Sequence, residues 1–187
     1  MNAAIEKFYK NRSEAEDTLK NVYKELHQSH ASGGHRNFLL FRVQAAIIQF
    51  ELCSGLFNLM MTPKNCFASK IIFKGLLHII FEYTKTLKNY HIKMLMDLCD
   101  SKSFNSEKDN LTRITRKYRT AIKQIDKFMK LRNMATGHYA PDIAKQISLI
   151  ESINEDESLK VIKQFVLFNK DVLESMSKIG RKKYISD

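Results

Sequence analysis

Tryptophan is absent from this chain of 187 residues, proline occurs twice and glycine six times, which excludes collagen-like and low-complexity classes. The three cysteines, Cys53, Cys66 and Cys99, are odd in number, scattered and free of CxxC spacing. They exclude a disulfide framework and a structural zinc framework, and they predict reduced thiols in a cytoplasmic protein. No apolar segment follows Met1, which is succeeded by Glu6, Lys7 and Lys10, so a secreted protein is not expected. A long apolar run is missing too: the nearest, Val43 to Thr62, is interrupted by Gln44, Gln49, Glu51 and Asn58. It reads as a central buried helix and not as a membrane span. No alternating apolar run demands a sheet. Nothing resembles a phosphate-binding glycine loop, a Rossmann fingerprint or a serine-histidine-aspartate arrangement.

What is present is helical pattern and positive charge. With 44% hydrophobic and 27% charged residues, the chain is long enough to bury one core and short for two, so residues 1–187 are read as a single all-α domain. Thirty-one basic residues against twenty acidic ones give a formal charge of +11, which favours a polyanionic partner such as RNA through counterion release. The apolar spacing predicts five or six helices. The first runs from about Ala3 to His30 and stops near Ser32-Gly33-Gly34, and the second covers Phe38 to Met61. Thr62-Pro63 is read as a cap and first-turn proline for a third helix, which passes Ile71, Gly75 and Tyr83 and reaches Leu98 with a bend. Ser101 to Asn105 is a polar insertion. Ser106 with Asp109, and Asn154 with Glu157, read as capping pairs for the two helices that follow, the last of which Gly180 is expected to end.

Within the helix from Ser106, the positions Leu111, Ile114, Tyr118, Ala121, Ile122, Ile125 and Met129 recur at spacings of three and four, the mark of one buried stripe. Arg132 continues that stripe. Arg116, Arg119, Lys123, Lys127 and Lys130 fall on the opposite, exposed arc. An arginine on a covered face asks for a carboxylate, a phosphate or a second subunit, although a structural ion pair or a snorkelling stem is an equally open reading. Six residues on stands His138, which an unbroken helix would hold about 120° away from Arg132. Gly137 and Pro141 supply the break that can bring the imidazole back. Arginine is a permanent planar donor for phosphate oxygens, and histidine takes or gives protons near neutrality. An arginine and a histidine so spaced are expected about 0.8 times by chance in such a chain, so helical context carries the reading.

Arg132, Asn133 and His138, with five intervening residues at the end of a long helix in the C-terminal half, resemble the signature of the HEPN superfamily: small all-helical domains of prokaryotic toxins, abortive-infection proteins and RNA-targeting nucleases. The resemblance implies an all-α, HEPN-like bundle that forms a homodimer, sets two copies of the motif in one cleft and cleaves RNA without a metal or cofactor. It implies a toxin or antiviral role, with an antitoxin or sensor protein as a possible partner. Family members paired with a minimal nucleotidyltransferase antitoxin carry a tyrosine two residues after the histidine. Here Tyr139 follows directly and position 140 is alanine, a departure from that pattern. The alternative within the same fold is a non-catalytic module that binds RNA or protein.

Around the motif, Asn133 can bind phosphate or fix the imidazole, and Tyr139 adds a phenol, while either can serve ordinary helix-end hydrogen bonding. Lys127 and Lys130 are candidate phosphate contacts. Glu82, in the apolar third helix, is a candidate partner for Arg132, or else pairs locally with Lys85 or Lys88. His27, His30 and His35 form an HxxH pair with a third histidine, but without a cysteine or acid at ligand spacing they read as a polar helix end and no metal is assigned. His78 and His91 read as hydrogen-bonded core or edge residues, and the methionines as packing filler. The cluster Lys178, Arg181, Lys182 and Lys183 is read as a solvated tail or a grip on a phosphate backbone.

Overall fold

The computed structural model describes residues 3–30, 32–129 and 142–185. Among them there are eight α-helices and no strand, so the all-α expectation holds, with more helices than the five or six expected. They are α1 (Ala3–Gln28), α2 (Gly33–Met61), α3 (Phe67–Thr86), α4 (Ile92–Ser101), α5 (Asn105–Lys117), α6 (Arg119–Gln124), α7 (Ile143–Glu151) and α8 (Glu155–Ile185). Two stretches expected to be single helices are divided, and α7 is a short helix that the sequence reading did not name. A π-helical turn, Leu87–His91, joins α3 to α4, and a bend at Tyr118 separates α5 from α6, which tightens into a 3₁₀ turn over Ile125–Phe128.

The π turn has a cause in the sequence. Leu87, His91, Leu95 and Cys99 are all buried and lie four residues apart. Three steps of four exceed three α-helical turns by about 1.2 residues, and a wider turn absorbs the surplus while keeping all four on the covered side.

The helix α2 lies at the centre, packed against α1, α3 and α8. Phe38, Leu39, Phe41, Ala45, Ala46 and Leu52 on it are at most 2% exposed. It is the one described helix long and apolar enough to cross a membrane by length and composition, and 56% of its most apolar window is buried within the bundle. Side chains from every helix join one core, including Val22 of α1, Leu95 of α4, Ile150 of α7 and Phe165 of α8. Gly55 lets α2 and α3 approach closely: a Cβ there would stand 2.4 Å from Leu76 Cδ2.

Several helix ends differ from the sequence expectation. Thr62 closes α2, donating its amide to Leu59 O, and Pro63 lies in the following turn. Cys66 instead caps α3, its sulfur accepting from the Ser69 amide at 3.4 Å. Helix α2 begins at Gly33, five residues before the expected start at Phe38, and its first turn is largely exposed. Ser106 makes no cap; its hydroxyl donates to Glu107 Oε2 at 2.9 Å. Asn154 does cap α8 as expected, accepting from the Glu157 amide at 3.0 Å. Gly180 does not end α8 but sits inside it, facing Phe38 and Arg42. Its missing side chain serves close packing of α8 on α2 and not helix termination.

Candidate functional site

Arg132, Asn133, His138, Tyr139 and Lys130 lie outside the described residues. What the structure places is the ground on either side of them, from α5 to Met129 and from Asp142 onward. Leu111, Ile114, Tyr118, Ile122 and Ile125 are all buried, as their spacing requires. The stripe then fails. Met129 is 48% exposed, while Phe128, one residue earlier, packs on the core. The 3₁₀ turn of three residues per turn resets the helical phase at this point. The stripe therefore does not take in Met129, although its spacing predicts that it should; Arg132 lies beyond the described residues.

The opposite arc is as expected. Arg116, Arg119, Lys123 and Lys127 are exposed. Lys127 Nζ lies 3.2 Å from Glu157 Oε1 at the head of α8, so it is partly neutralised. Lys117 Nζ and the Tyr118 hydroxyl both donate to Asp171 Oδ2, at 3.0 and 2.9 Å, and hydrogen bonding of the Lys117 ammonium to Tyr118 first, and then to Asp171, holds it above its usual pKa. Arg113 bonds to Asn110 at 2.8 Å. Arg116, Arg119 and Lys123 have no ion-pair partner among the described residues. Among the described residues, then, no acid neutralises these three cations.

Glu82 is not deep in the protein. Its side chain is 41% exposed and its carboxylate stands 3.8 Å from Lys85 Nζ, which is the local pairing; the side chain of Lys88 lies outside the described residues. Of the two readings of this residue, the local pairing at a partly exposed edge of α3 is the one seen. Its proposed partner Arg132 falls outside what is described.

Elsewhere, polar groups are used for architecture. His91 stacks on Phe41 with ring centroids 3.9 Å apart, and its Nε2 lies 2.7 Å from Gln44 Oε1. Burial holds its imidazole below the usual histidine pKa. Tyr23 covers His27 at 4.3 Å. Among the described residues no group of three histidine, cysteine or acidic side chains is placed to hold a metal ion. Burial pushes the Cys53 thiol up to about 11, which makes it a poor nucleophile near neutrality.

The sequence reading missed three polar ties. Arg42 Nη1 donates to both oxygens of Glu25 at 2.7 Å; a lone arginine within an apolar helix was the available signal. Asn169, fully buried, donates to Ala45 O and Gln49 Oε1 at 2.9 and 3.0 Å. Lys182, read as part of a solvated tail, is bound 2.7 Å from the buried Glu107 at the head of α5. That bond holds the Glu107 carboxyl below its usual pKa. Lys183's side chain is outside the described residues. No protein-family model, curated protein or solved structure matches this chain.

Proposed function

We propose that the protein is a metal-independent endoribonuclease of HEPN type, acting as a toxin or antiviral effector in the cytoplasm, with Arg132 and His138 of two copies forming one site. The reading rests on a single conjunction. The sequence Arg132-Asn133 followed by His138 comes, in chain order, after a helical stretch on which Arg116, Arg119 and Lys123 stand exposed and without an acidic partner among the described residues. The all-helical architecture is compatible with it. In the proposed reaction one His138 takes the proton of a ribose 2′-hydroxyl as its oxygen bonds to phosphorus. The other His138 gives a proton to the 5′-oxygen as the P–O5′ bond breaks, and Arg132 offsets the charge that builds on the phosphorane. Asn133 and Tyr139 orient these groups, and Lys127 and Lys130 hold the flanking backbone. The products are a 2′,3′-cyclic phosphate and a free 5′-hydroxyl.

The test is incubation of the purified protein with labelled transfer and messenger RNA in chelator. Wild type should leave cyclic phosphate ends, and His138→Ala or Arg132→Ala should each lower the rate at least about 10²-fold without change in melting temperature. Cleavage by both variants at the wild-type rate refutes the assignment. A non-catalytic protein-binding module of the same fold, engaging an antitoxin or sensor, is favoured by one observation: Met61, Phe67 and Ile71 are exposed together around the α2–α3 corner. It predicts full tolerance of expression in cells, where the nuclease predicts toxicity that His138→Ala removes.

A further inference from the structure

A pocket of ≈ 300 Å³ opens beside the free cations, lined by Thr84, Leu87, Ile92, Thr115, Ile122 and Phe168, with Arg119 and Lys123 at its rim. Two of the three helix irregularities among the described residues border it. Leu87 opens the π turn and Ile92 follows it, while Thr115 and Arg119 flank the bend at Tyr118. Single π turns within helices concentrate at functional sites, and here the two departures from regular helix widen the same spot. The hydroxyls of the two threonines are turned to their own helices, Thr84 to Ile80 O at 2.7 Å and Thr115 to Thr112 O at 2.9 Å. The interior is left apolar as a result. Two larger clefts, of ≈ 840 and ≈ 560 Å³, place carboxylates among their cations, Asp97 in one and Glu14 with Glu174 in the other. Among the described residues no carboxylate lines the small pocket.

We propose that this pocket takes one unstacked base of single-stranded RNA, with the flanking phosphates on Arg119, Lys123 and Arg116. The chemistry is that of proteins that grip single strands: an apolar surface for a ring, which every base provides, beside cations that follow the backbone. A pocket at the low end of the usual range for small-molecule sites admits a flat ring. With no free polar group inside, it selects for the presence of a base and for its size more than for its hydrogen-bonding edge. The assignment rests on the nuclease reading for its place in the biology, and makes the pocket a positioning site for the bound strand.

The experiment measures binding, so that its outcome does not depend on cleavage. Short 2′-O-methyl RNA strands, which lack the attacking hydroxyl, are compared with strands of equal charge that lack bases. Wild type should bind the base-bearing strand about tenfold more tightly. Thr115→Phe, which fills the pocket, should erase that margin and leave the salt dependence unchanged; Ile92→Phe fills it from the other wall and serves where the first variant lowers the melting temperature. Arg119→Gln with Lys123→Gln should lower the slope of log affinity against log salt by about 1.4, two contacts at about 0.7 each for single strands, and keep the margin. A margin that survives both fillings, or none in wild type, overturns the inference. Should the margin be present while wild type fails to cut 2′-hydroxyl RNA, the nuclease reading falls and the base pocket stands.

Discussion

Removing Glu25 should cost more stability than removing the arginine it binds. Arg42 lies under α8 with its side chain 11% exposed, against 32% for Glu25, and its guanidinium carbon sits 5.9 Å from the Phe38 ring centre. Breaking a buried pair by deleting one partner costs about 3–5 kcal/mol, because a charge is left in a poor solvent. Glu25 is a third exposed, so water can reach part of the freed guanidinium and the cost of Glu25→Ala falls to about 2–3 kcal/mol. Arg42→Met leaves no buried charge and keeps most of the volume against Phe38 and Gly180, for a cost of about 0–1.5 kcal/mol. At about 2–4 °C per kcal/mol for a chain of this size, the expected falls in melting temperature are about 4–12 °C and at most about 6 °C. Urea denaturation gives the same comparison at constant temperature, and Glu25→Ala on the Arg42→Met background should add less than about 0.5 kcal/mol. If Arg42→Met is the costlier change, packing and not charge holds this corner, and the reasoning fails.

Three further outcomes follow from the geometry. His91 has its pKa lowered by burial, so the folded state binds its proton less readily than the unfolded chain; stability is full above pH about 6.5 and is lost as pH falls through the folded value. His91→Gln should flatten the melting-temperature slope between pH 5 and 7 by the share this residue contributes, and an unchanged slope would contradict the assignment. Gly75 stands within α3 with nothing within 4 Å of an added Cβ, so Gly75→Ala should stabilise by about 0.5–1 kcal/mol in urea. Gly55→Ala should destabilise, since Leu76 is 3% exposed and has no room to yield; equal signs for the two would show that helix propensity alone decides.

Where the sequence was legible, a repeated physical demand made it so. Leu111, Ile114, Tyr118, Ile122 and Ile125 are buried because each step of three or four residues returns to the same side of a helix. Asn154 caps α8 because a short side-chain oxygen can meet the Glu157 amide. Helix ends set by long-range packing were not legible. Gly180 has the composition of a stop, yet its contacts with Phe38 and Arg42 come from a helix some 140 positions earlier. Lys182 looks like one of several solvated cations until α5 brings Glu107 to it. The 3₁₀ turn at Ile125–Phe128 has the largest consequence for the candidate site. A one-residue change of phase, invisible in the apolar count, puts Phe128 on the core in place of Met129.

The wide turn at Leu87–His91 acts as a frame shift built into a helix, with the chain before and after it obeying different registers. Five residues in the wide turn cover about the same rotation as four in an α-helix, about 400°. Losing a single residue here would therefore leave ordinary coil geometry with Leu95 and Cys99 still on their present side. Homologous chains should differ at this junction by one residue while keeping the inner edge of α4 unaltered.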